Sequence, residues 1–395
     1  MFLSLGHMPL ANGFLNYDQI SSEEPLYPLD VYFCSICSLV QITDVVPPEV
    51  MFTDYPYVTG TSQTMKDNLF ELYERASYSI AQRENDLVID VGSNDGTLLS
   101  YFKSGGFRTL GIEPASNIAE LASEKGIETI ETFFTNDTCS QILKTYGKAK
   151  IITGTNVFAH VDDINGFITS TKRVLHPDGI LIIEVPYIAD MLKNLEFDTI
   201  YHEHLSYFSL YALNTLFTAH SMSIVNVEKL TVHGGSIRLY ISPVGNQHCP
   251  YLEELLDQET KLGIPNISIY QKFATDVNKL KAQLNTMLND LKQSGKKITA
   301  YGAPAKGNIL LNYCGIDNTI LDCVFDNTPF KQNLFTPGTH IPVVSDSIFQ
   351  QSNTDFCLLL AWNYENEILE KENDYLRNGG VFIVPIPYPR LESRL

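Results

Sequence analysis

Basic residues are scarce in this chain. Lysine and arginine number 27 against 46 aspartates and glutamates, a formal net charge of −19 over 395 residues. Phosphate backbones and anionic lipid surfaces are gripped by clustered Lys and Arg, so nucleic acid and anionic membrane are excluded as partner classes. A small phosphate-bearing ligand is not excluded, because a local pocket of amides and a cation suffices for it. Long apolar runs are missing too: no stretch approaches the roughly 20 apolar residues of a membrane span. The opening "MFLSLGHMPLANGFLNYDQI" lacks a basic start and breaks at Pro9 and Asn12, unlike a secretory leader. The seven cysteines are odd in number and scattered, which excludes a disulfide framework and leads us to expect a cytoplasmic protein with reduced thiols. Short-period repeats and low-complexity tracts are absent.

What is present is ordinary globular composition, 44% hydrophobic and 18% charged, in a chain too long for one core. Three parts follow from the pattern. Residues 1–65 are rich in Pro, Tyr and Cys, and Pro25, Pro28, Pro47 and Pro48 punctuate short strands and turns. Over 66–248 the apolar runs "DLVIDV", "RTLGIE", "AKIITGT" and "GILIIEVP" alternate with helix-length segments, the rhythm of a doubly wound parallel sheet. "HGGSIRLYISPV" reads as a late strand returning to the edge of that sheet. Over 249–395 a long helical pattern, "ISIYQKFATDVNKLKAQLNTMLNDLKQSG", ends at Gly295 and leads into a second α/β unit with "KITAYGAPAKG", "ILDCVFDN", "FCLLLAW" and "GGVFIVPIP". The expected fold class is α/β, with two Rossmann-like domains behind a small Cys-containing module.

Each α/β unit carries a glycine loop. "LVIDVGSNDGTLL" places Gly92 and Gly96 between a strand and a helix start, where free amides face a ligand. A dinucleotide fingerprint needs glycine at its third and sixth positions, which here hold Asn94 and Thr97. Asp90 precedes the loop, and Glu113 ends the next strand, where a carboxylate can accept both ribose hydroxyls of an adenosine. Acid-x-Gly-x-x-x-Gly followed by that second acid resembles the Class I S-adenosylmethionine (SAM) methyltransferases; the bland alternative is a turn that holds no cofactor. The second loop, "YGAPAKGNILLN", carries Gly302, Lys306 and Gly307 but is not a phosphate-binding P-loop, which ends Gly-Lys-Ser/Thr. Lys306 at a helix start suits one phosphate group, and Asp326 near the end of the next strand suits a nucleotide. A solvent-facing lysine on a structural turn is the alternative.

"YHEHLSYFSL" follows the strand "LIIEVPYIAD", whose end lies at the rim where open α/β sheets bind ligands. "IITGTNVFAH" brings His160 to the same rim, and the Tyr-rich "FTDYPYVTGTS" can cover it. Two histidines, a glutamate and several tyrosines at a SAM pocket suit removal of a proton from carbon next to a ketone. As a metal site the HEH spacing lacks a third ligand nearby. With "PLANGFL", "CSICSLVQ", "YPYVTGTS", "GIEP", "NVFAH", "EVPY" and "HGGSIRLY", these stretches resemble, in order and over nearly the whole chain, the sugar C-methyltransferases. That family methylates C3 of nucleoside-diphosphate 4-keto-6-deoxyhexoses.

The resemblance implies a mechanism and assigns roles. The C4 ketone acidifies the C3 proton, a base removes it, and the enolate attacks the sulfonium methyl in line. His204 becomes the base, with Glu203 tuning or positioning it, and His160, Tyr201 and Tyr55 hold the sugar and stabilise the enolate oxygen. Asp90, Gly92, Asn94, Glu113 and Asn156 line the SAM site; Lys306, Gly302 and Tyr207 meet the sugar nucleotide. His202, His233 and His176 read as structural. The resemblance departs at the N-terminal module, where relatives close a four-thiolate zinc site with two Cys-x-x-Cys pairs and this chain has only Cys34 and Cys37. Zinc is therefore doubtful here. The rivals are O- or N-methylation of a similar sugar nucleotide, an NAD-dependent sugar-nucleotide dehydrogenase, and a binding protein without catalysis. A monomer or homodimer is expected.

Overall fold

A computed structural model describes residues 1–52, 58–78, 80, 85–245 and 247–394, and the strands fall into three sheets. The first begins as an antiparallel meander of β1 (Leu3–Met8), β2 (Tyr27–Phe33) and β3 (Val40–Ile42). The second uses β4 (Leu87–Val91), β5 (Arg108–Ile112), β6 (Thr129–Ile130), β7 (Ala149–Thr155) and β8 (Leu175–Pro186), all parallel. Their apolar runs are continuous rather than alternating because helices cover both faces; β4 is buried at all five residues. The chain then leaves this sheet. The two-residue strand β9 (Ser206–Tyr207), just after "YHEH", pairs with β3 and completes the first sheet.

The second sheet is finished by β10 (Ser223–Leu230) and β11 (Ser236–Ser242), in the spatial order β10-β11-β8-β7-β4-β5-β6. β11 is antiparallel to both neighbours and lies inside the sheet, which corrects the expectation that it forms the edge. The edge is β10, invisible in the sequence because "SIVNVEKL" mixes buried residues with exposed Asn, Glu and Lys. This is the Class I methyltransferase form of the Rossmann-like fold. Its strand order reverses between β4 and β7, opening a crevice above their carboxyl ends.

The long helix spans Ile267–Gln293 and buries Tyr270, Phe273, Val277, Leu280, Leu284 and Leu288 at helical spacing. Tyr270 also receives Phe2 and Phe33 at centroid distances of 5.2 and 4.9 Å, docking the first sheet on this helix. The third sheet has the order β14-β13-β12-β15-β16-β17, from β12 (Ile298–Tyr301), β13 (Val324–Asp326), β14 (Val343–Ser345), β15 (Phe356–Leu359), β16 (Val381–Val384) and an antiparallel β17 (Arg390–Glu392). It too reverses, between β12 and β15.

A buried ion network braces the second sheet. Arg238 of β11 is fully buried and donates to Glu184 of β8 (2.9 Å), to Glu228 of β10 (3.1 Å) and to the Asn68 carbonyl and side chain. Asn68, on the helix Gln63–Tyr78, donates back to Glu184 at 2.8 Å. Removing one member strands a buried charge, so Arg238→Ala is expected to cost about 3–5 kcal/mol in urea denaturation. Replacing Arg238 and Glu184 together, as Arg238→Met with Glu184→Leu, is expected to recover much of that loss, because the third charge, Glu228, keeps Arg75 at 3.1 Å.

Candidate active site

A cavity of about 1730 Å³ lies where the three sheets meet. Asn12 and Pro48 line it from the first, Asp90 to Asn94, Glu113 and Asn156 from the second, and Gly302, Lys306 and Lys331 from the third. Pockets for one small ligand run to roughly 300–1,000 Å³, so this space suits two ligands at once.

The first glycine loop turns over the end of β4 through three left-handed residues, Gly92, Asn94 and Gly96 (φ +65°, +48° and +73°). A Cβ on Gly92 would sit 2.2 Å from Val157 Cγ2, so only glycine lets the backbone run this close. Glu113 folds the loop back: its carboxylate accepts from the amides of Asn94 and Ala115, each at 3.0 Å. Asp90 lies behind the loop, almost fully buried, and accepts from the Thr153 hydroxyl at 2.6 Å. It still borders the cavity, with Val91 and Gly92 beside it. The second loop obeys the same rule. Asp326 ends β13 and accepts from the amides of Ala303 (2.6 Å) and Thr328 (2.8 Å).

The "YHEH" turn gathers the predicted acid/base groups. The rings of Tyr201 and His160 lie 4.1 and 5.0 Å from that of His204, and Tyr207 lies at 6.4 Å. His204 Nδ1 is 2.9 Å from the Thr199 carbonyl. A carbonyl only accepts, so Nδ1 carries the hydrogen and Nε2 the lone pair. Burial pulls His160 down to about 4, against the carbonyls of Glu203 and Asn156, so it stays neutral at working pH. Burial pushes the Tyr207 phenol up, and its hydroxyl sits beside the Tyr201 backbone. His202 faces away: its ring packs edge-on against Tyr27, with Nε2 3.3 Å from the Tyr27 carbonyl. Tyr55 lies outside the described residues.

Lys306 lines the cavity but is not the solvent-facing lysine that the loop alone allows. Its ammonium is buried 4.7 Å over the Trp362 ring, in the field of Asp198 and Glu196. Trp362 Nε1 donates to Asp198 at 2.7 Å. Burial raises these carboxyls, Glu196 to about 7 and Asp198 to about 6, while Lys306 pulls both back. The glycines of "HGGS" make room here: a Cβ on Gly234 would meet Glu196 Oε2 at 2.5 Å, and one on Gly235 would meet Asp190 at 2.6 Å. Lys331, held by the Ala303 carbonyl at 2.9 Å, is pulled down by burial against Asp326. Sequence reasoning missed Asn12, Glu196, Asp198, Lys331 and Trp362 as cavity or supporting residues. Only the paired glycines of "HGGS" hinted at a close approach.

Comparisons with known proteins decide the family. Residues 63–226 match the methyltransferase domain family, 231–387 the C-methyltransferase C-terminal domain family, and 1–52 the family described as "Putative zinc binding domain". The C-methyltransferase NovU of Streptomyces niveus is 38% identical over 393 residues, 99% of this chain and 94% of that protein. The chain belongs to the C-methyltransferase family. It is thus an enzyme with SAM as cofactor, and a dehydrogenase, an O- or N-methyltransferase and a binding protein without catalysis are set aside. The ubiquinone biosynthesis O-methyltransferase of Bartonella bacilliformis is 25% identical over 120 residues, 30% of this chain and 48% of that protein. The solved magnesium protoporphyrin IX methyltransferase of Synechocystis PCC 6803 with bound SAM aligns at TM-score 0.35 and 12% identity, over 45% of this chain and 78% of that one.

The C-methyltransferase's residues fit SAM better than zinc. The first loop runs along the cavity with Gly92 packed where no Cβ would fit, and an acid follows β5. Cys34 and Cys37 share the turn between β2 and β3, where the Cys37 and Ile36 amides hold the Cys34 thiol below its ordinary range. Among the described residues no group of three or more His, Cys, Asp or Glu is arranged to hold a metal, and two thiols do not close a tetrahedral site. Also among the described residues, no helix is long and apolar enough to cross a membrane.

Asp90 gives the cofactor loop a pH signature. Burial pushes its carboxyl from 3.8 up to about 8, opposed by the Thr153 hydrogen bond. The folded state therefore holds a proton that the unfolded chain has released. The stability this contributes is complete below about pH 4 and is lost as pH rises toward 8. Asp90→Asn keeps an acceptor for Thr153 but does not titrate. Its stability relative to wild type is expected to rise across that window, by up to about 1.4 kcal/mol per pH unit. Thermal melts of SAM-free protein measure it, and a constant difference contradicts the assignment.

Proposed function

We propose that this C-methyltransferase adds a methyl group to C3 of a nucleoside-diphosphate-linked 4-keto-deoxysugar through a base-generated enolate. The observation that carries the reading is the His204 tautomer. With Nδ1 spent on the Thr199 carbonyl, Nε2 is the ring nitrogen able to take a proton, in a cavity between two Rossmann-like sheets. His204 Nε2 takes the C3 proton, and the electron pair of that bond passes toward the C4 oxygen. His160, neutral by burial, has a single N–H, which the Glu203 and Asn156 carbonyls draw, so it shapes the wall beside His204, and the Tyr201 hydroxyl is the donor assigned to that oxygen. Tyr201, packed on His204, fixes the ring plane, and Glu203 and Tyr55 are assigned to the same acid/base role. When bound, SAM would supply an electrophilic methyl to the deprotonated C3, the electron pair of the broken S–CH3 bond staying on sulfur as the neutral thioether.

Asp90, Gly92, Asn94, Glu113 and Asn156 are assigned to the SAM side of the cavity. Gly302, Lys306 and Tyr207 are assigned to the sugar-nucleotide side, where Lys331 is a further cation for a diphosphate. Division of the chain into parts at residues 65 and 248 belongs to the same reading.

The test is deuterium wash-in to a nucleoside-diphosphate 4-keto-6-deoxyhexose, first without SAM and then with labelled SAM. Wild type is expected to exchange at C3 and to place the methyl there. A C4 ketone acidifies C5 as well, so both positions are read, and exchange and methylation confined to C5 would overturn the C3 assignment. His204→Ala is expected to lower both exchange and transfer by roughly 10²–10⁴-fold, the range of general base catalysis. Transfer persisting at the wild-type rate would remove His204 from the base role.

A further inference from the structure

Asn12 lies outside every group assigned above, yet it touches one of them directly. Its Nδ2 donates to Glu203 Oε1 at 2.6 Å, across 191 residues of sequence. Glu203 is 6% exposed. A carboxylate so placed depends on hydrogen bonds from the protein, and an amide donating to it is of the stronger, charge-assisted kind.

The segment that presents Asn12 is clamped by the third sheet's domain. Next to it, the Ala11 carbonyl accepts from Asn308 Nδ2 at 2.7 Å, and Asn308 is fully buried in the helix Ala305–Cys314. Three residues on, Leu15 and Phe335 exchange two backbone hydrogen bonds of 3.0 and 2.9 Å. Three residues back, Pro9 packs so closely on Gly338 that a Cβ there would lie 3.0 Å from the proline ring. Asn12 is therefore held on both sides by the domain beyond the cavity, and its amide is aimed at the "YHEH" turn.

We infer that Asn12 is a positioning residue, which sets the Glu203 carboxylate in the acid/base cluster, and that Asn308 acts through it. The domain carrying the second glycine loop thereby fixes the geometry of a group on the first. The inference rests on the reading of Glu203 as part of the acid/base site.

The experiment uses the full-length enzyme, a nucleoside-diphosphate 4-keto-6-deoxyhexose and SAM, with kcat, KM and C3 exchange measured separately. Asn12→Ala is expected to lower kcat and exchange roughly 10- to 100-fold, the cost of a small misplacement near the reacting centre, with sugar-nucleotide KM within about threefold of wild type. Asn308→Ala is expected to move the same quantities, less far. Combined with Glu203→Gln, Asn12→Ala is expected to add no further loss, because both act on one group. Asn12→Asp sets two carboxyl groups face to face. Its rate relative to wild type is expected to recover as pH falls and one of them takes up a proton, restoring the hydrogen bond. A wild-type kcat in Asn12→Ala, additive losses in the double variant, or a pH-independent ratio for Asn12→Asp would overturn the inference. The same cycle in thermal unfolding without substrate separates the two claims. Additive losses there overturn the positioning role whatever the reaction. Absence of wild-type exchange with non-additive losses overturns only the reaction.

Discussion

The architecture depends on where one irregular segment, residues 196–207, finds partners for its buried polar groups, although Asp198 Oδ1, His202 Nδ1 and the Tyr207 hydroxyl are left without a hydrogen-bond partner among the described residues. Buried chain without regular structure must find a partner for each N–H, C=O and polar side chain. This segment finds many of them outside its own sheet. Asp198 is met by Trp362, His202 by the Tyr27 carbonyl, Glu203 by Asn12, and the Leu205 carbonyl accepts from the Ile42 amide. Its last residues then become a strand of the first sheet. A single excursion of the methyltransferase domain thus nails all three sheets together, and the cluster of His160, Tyr201, Glu203 and His204 sits at the nail.

The two α/β units solve a second problem in one way. A glycine loop above a strand must be folded back without filling the crevice it borders. Glu113 and Asp326 each do this with one carboxylate bridging two amides, one in the loop and one just beyond the following strand. The bridge uses part of each carboxylate's capacity, since ionised oxygens offer about four acceptor sites in all. What remains can face a ribose. The two crevices then look across a common space, which is why one cavity has walls from both.

Much of this was legible in the sequence because it was local. Parallel strands declared themselves as short apolar runs, the long helix by its 3.6-residue spacing and Gly295, and the crevices by their glycine loops. Strands that alternate or run to two or three residues, such as β9, β10 and β17, carry too little pattern to be seen. The site divided along the same line. "YHEH" and "NVFAH" announced themselves by residue type, whereas Asn12, Asp198 and Trp362 matter through partners more than 150 residues away. Nothing in "PLANGFL" marks Asn12 as different from any turn asparagine. Lys306 was legible as a cation at a helix start, but its burial on Trp362 depends on a segment that only folding brings near.

The enclosure itself follows from the chemistry. Methylating oxygen or nitrogen uses a lone pair that is already there, and a single Rossmann-like domain with an open rim can suffice. On the proposed enolate route a proton must leave carbon before the methyl arrives, and the resulting carbanion is quenched by any water that reaches it first. An enzyme using that route must hold a base of fixed tautomer, keep neutral donors near the developing oxyanion, and close the space around both. On the proposed reading the Thr199 carbonyl answers the first need by holding the His204 hydrogen on Nδ1, and Tyr201, packed on His204, answers the second. The third is answered on that reading by cavity walls from the two other sheets, and the groups proposed to catalyse are then held by residues remote in sequence.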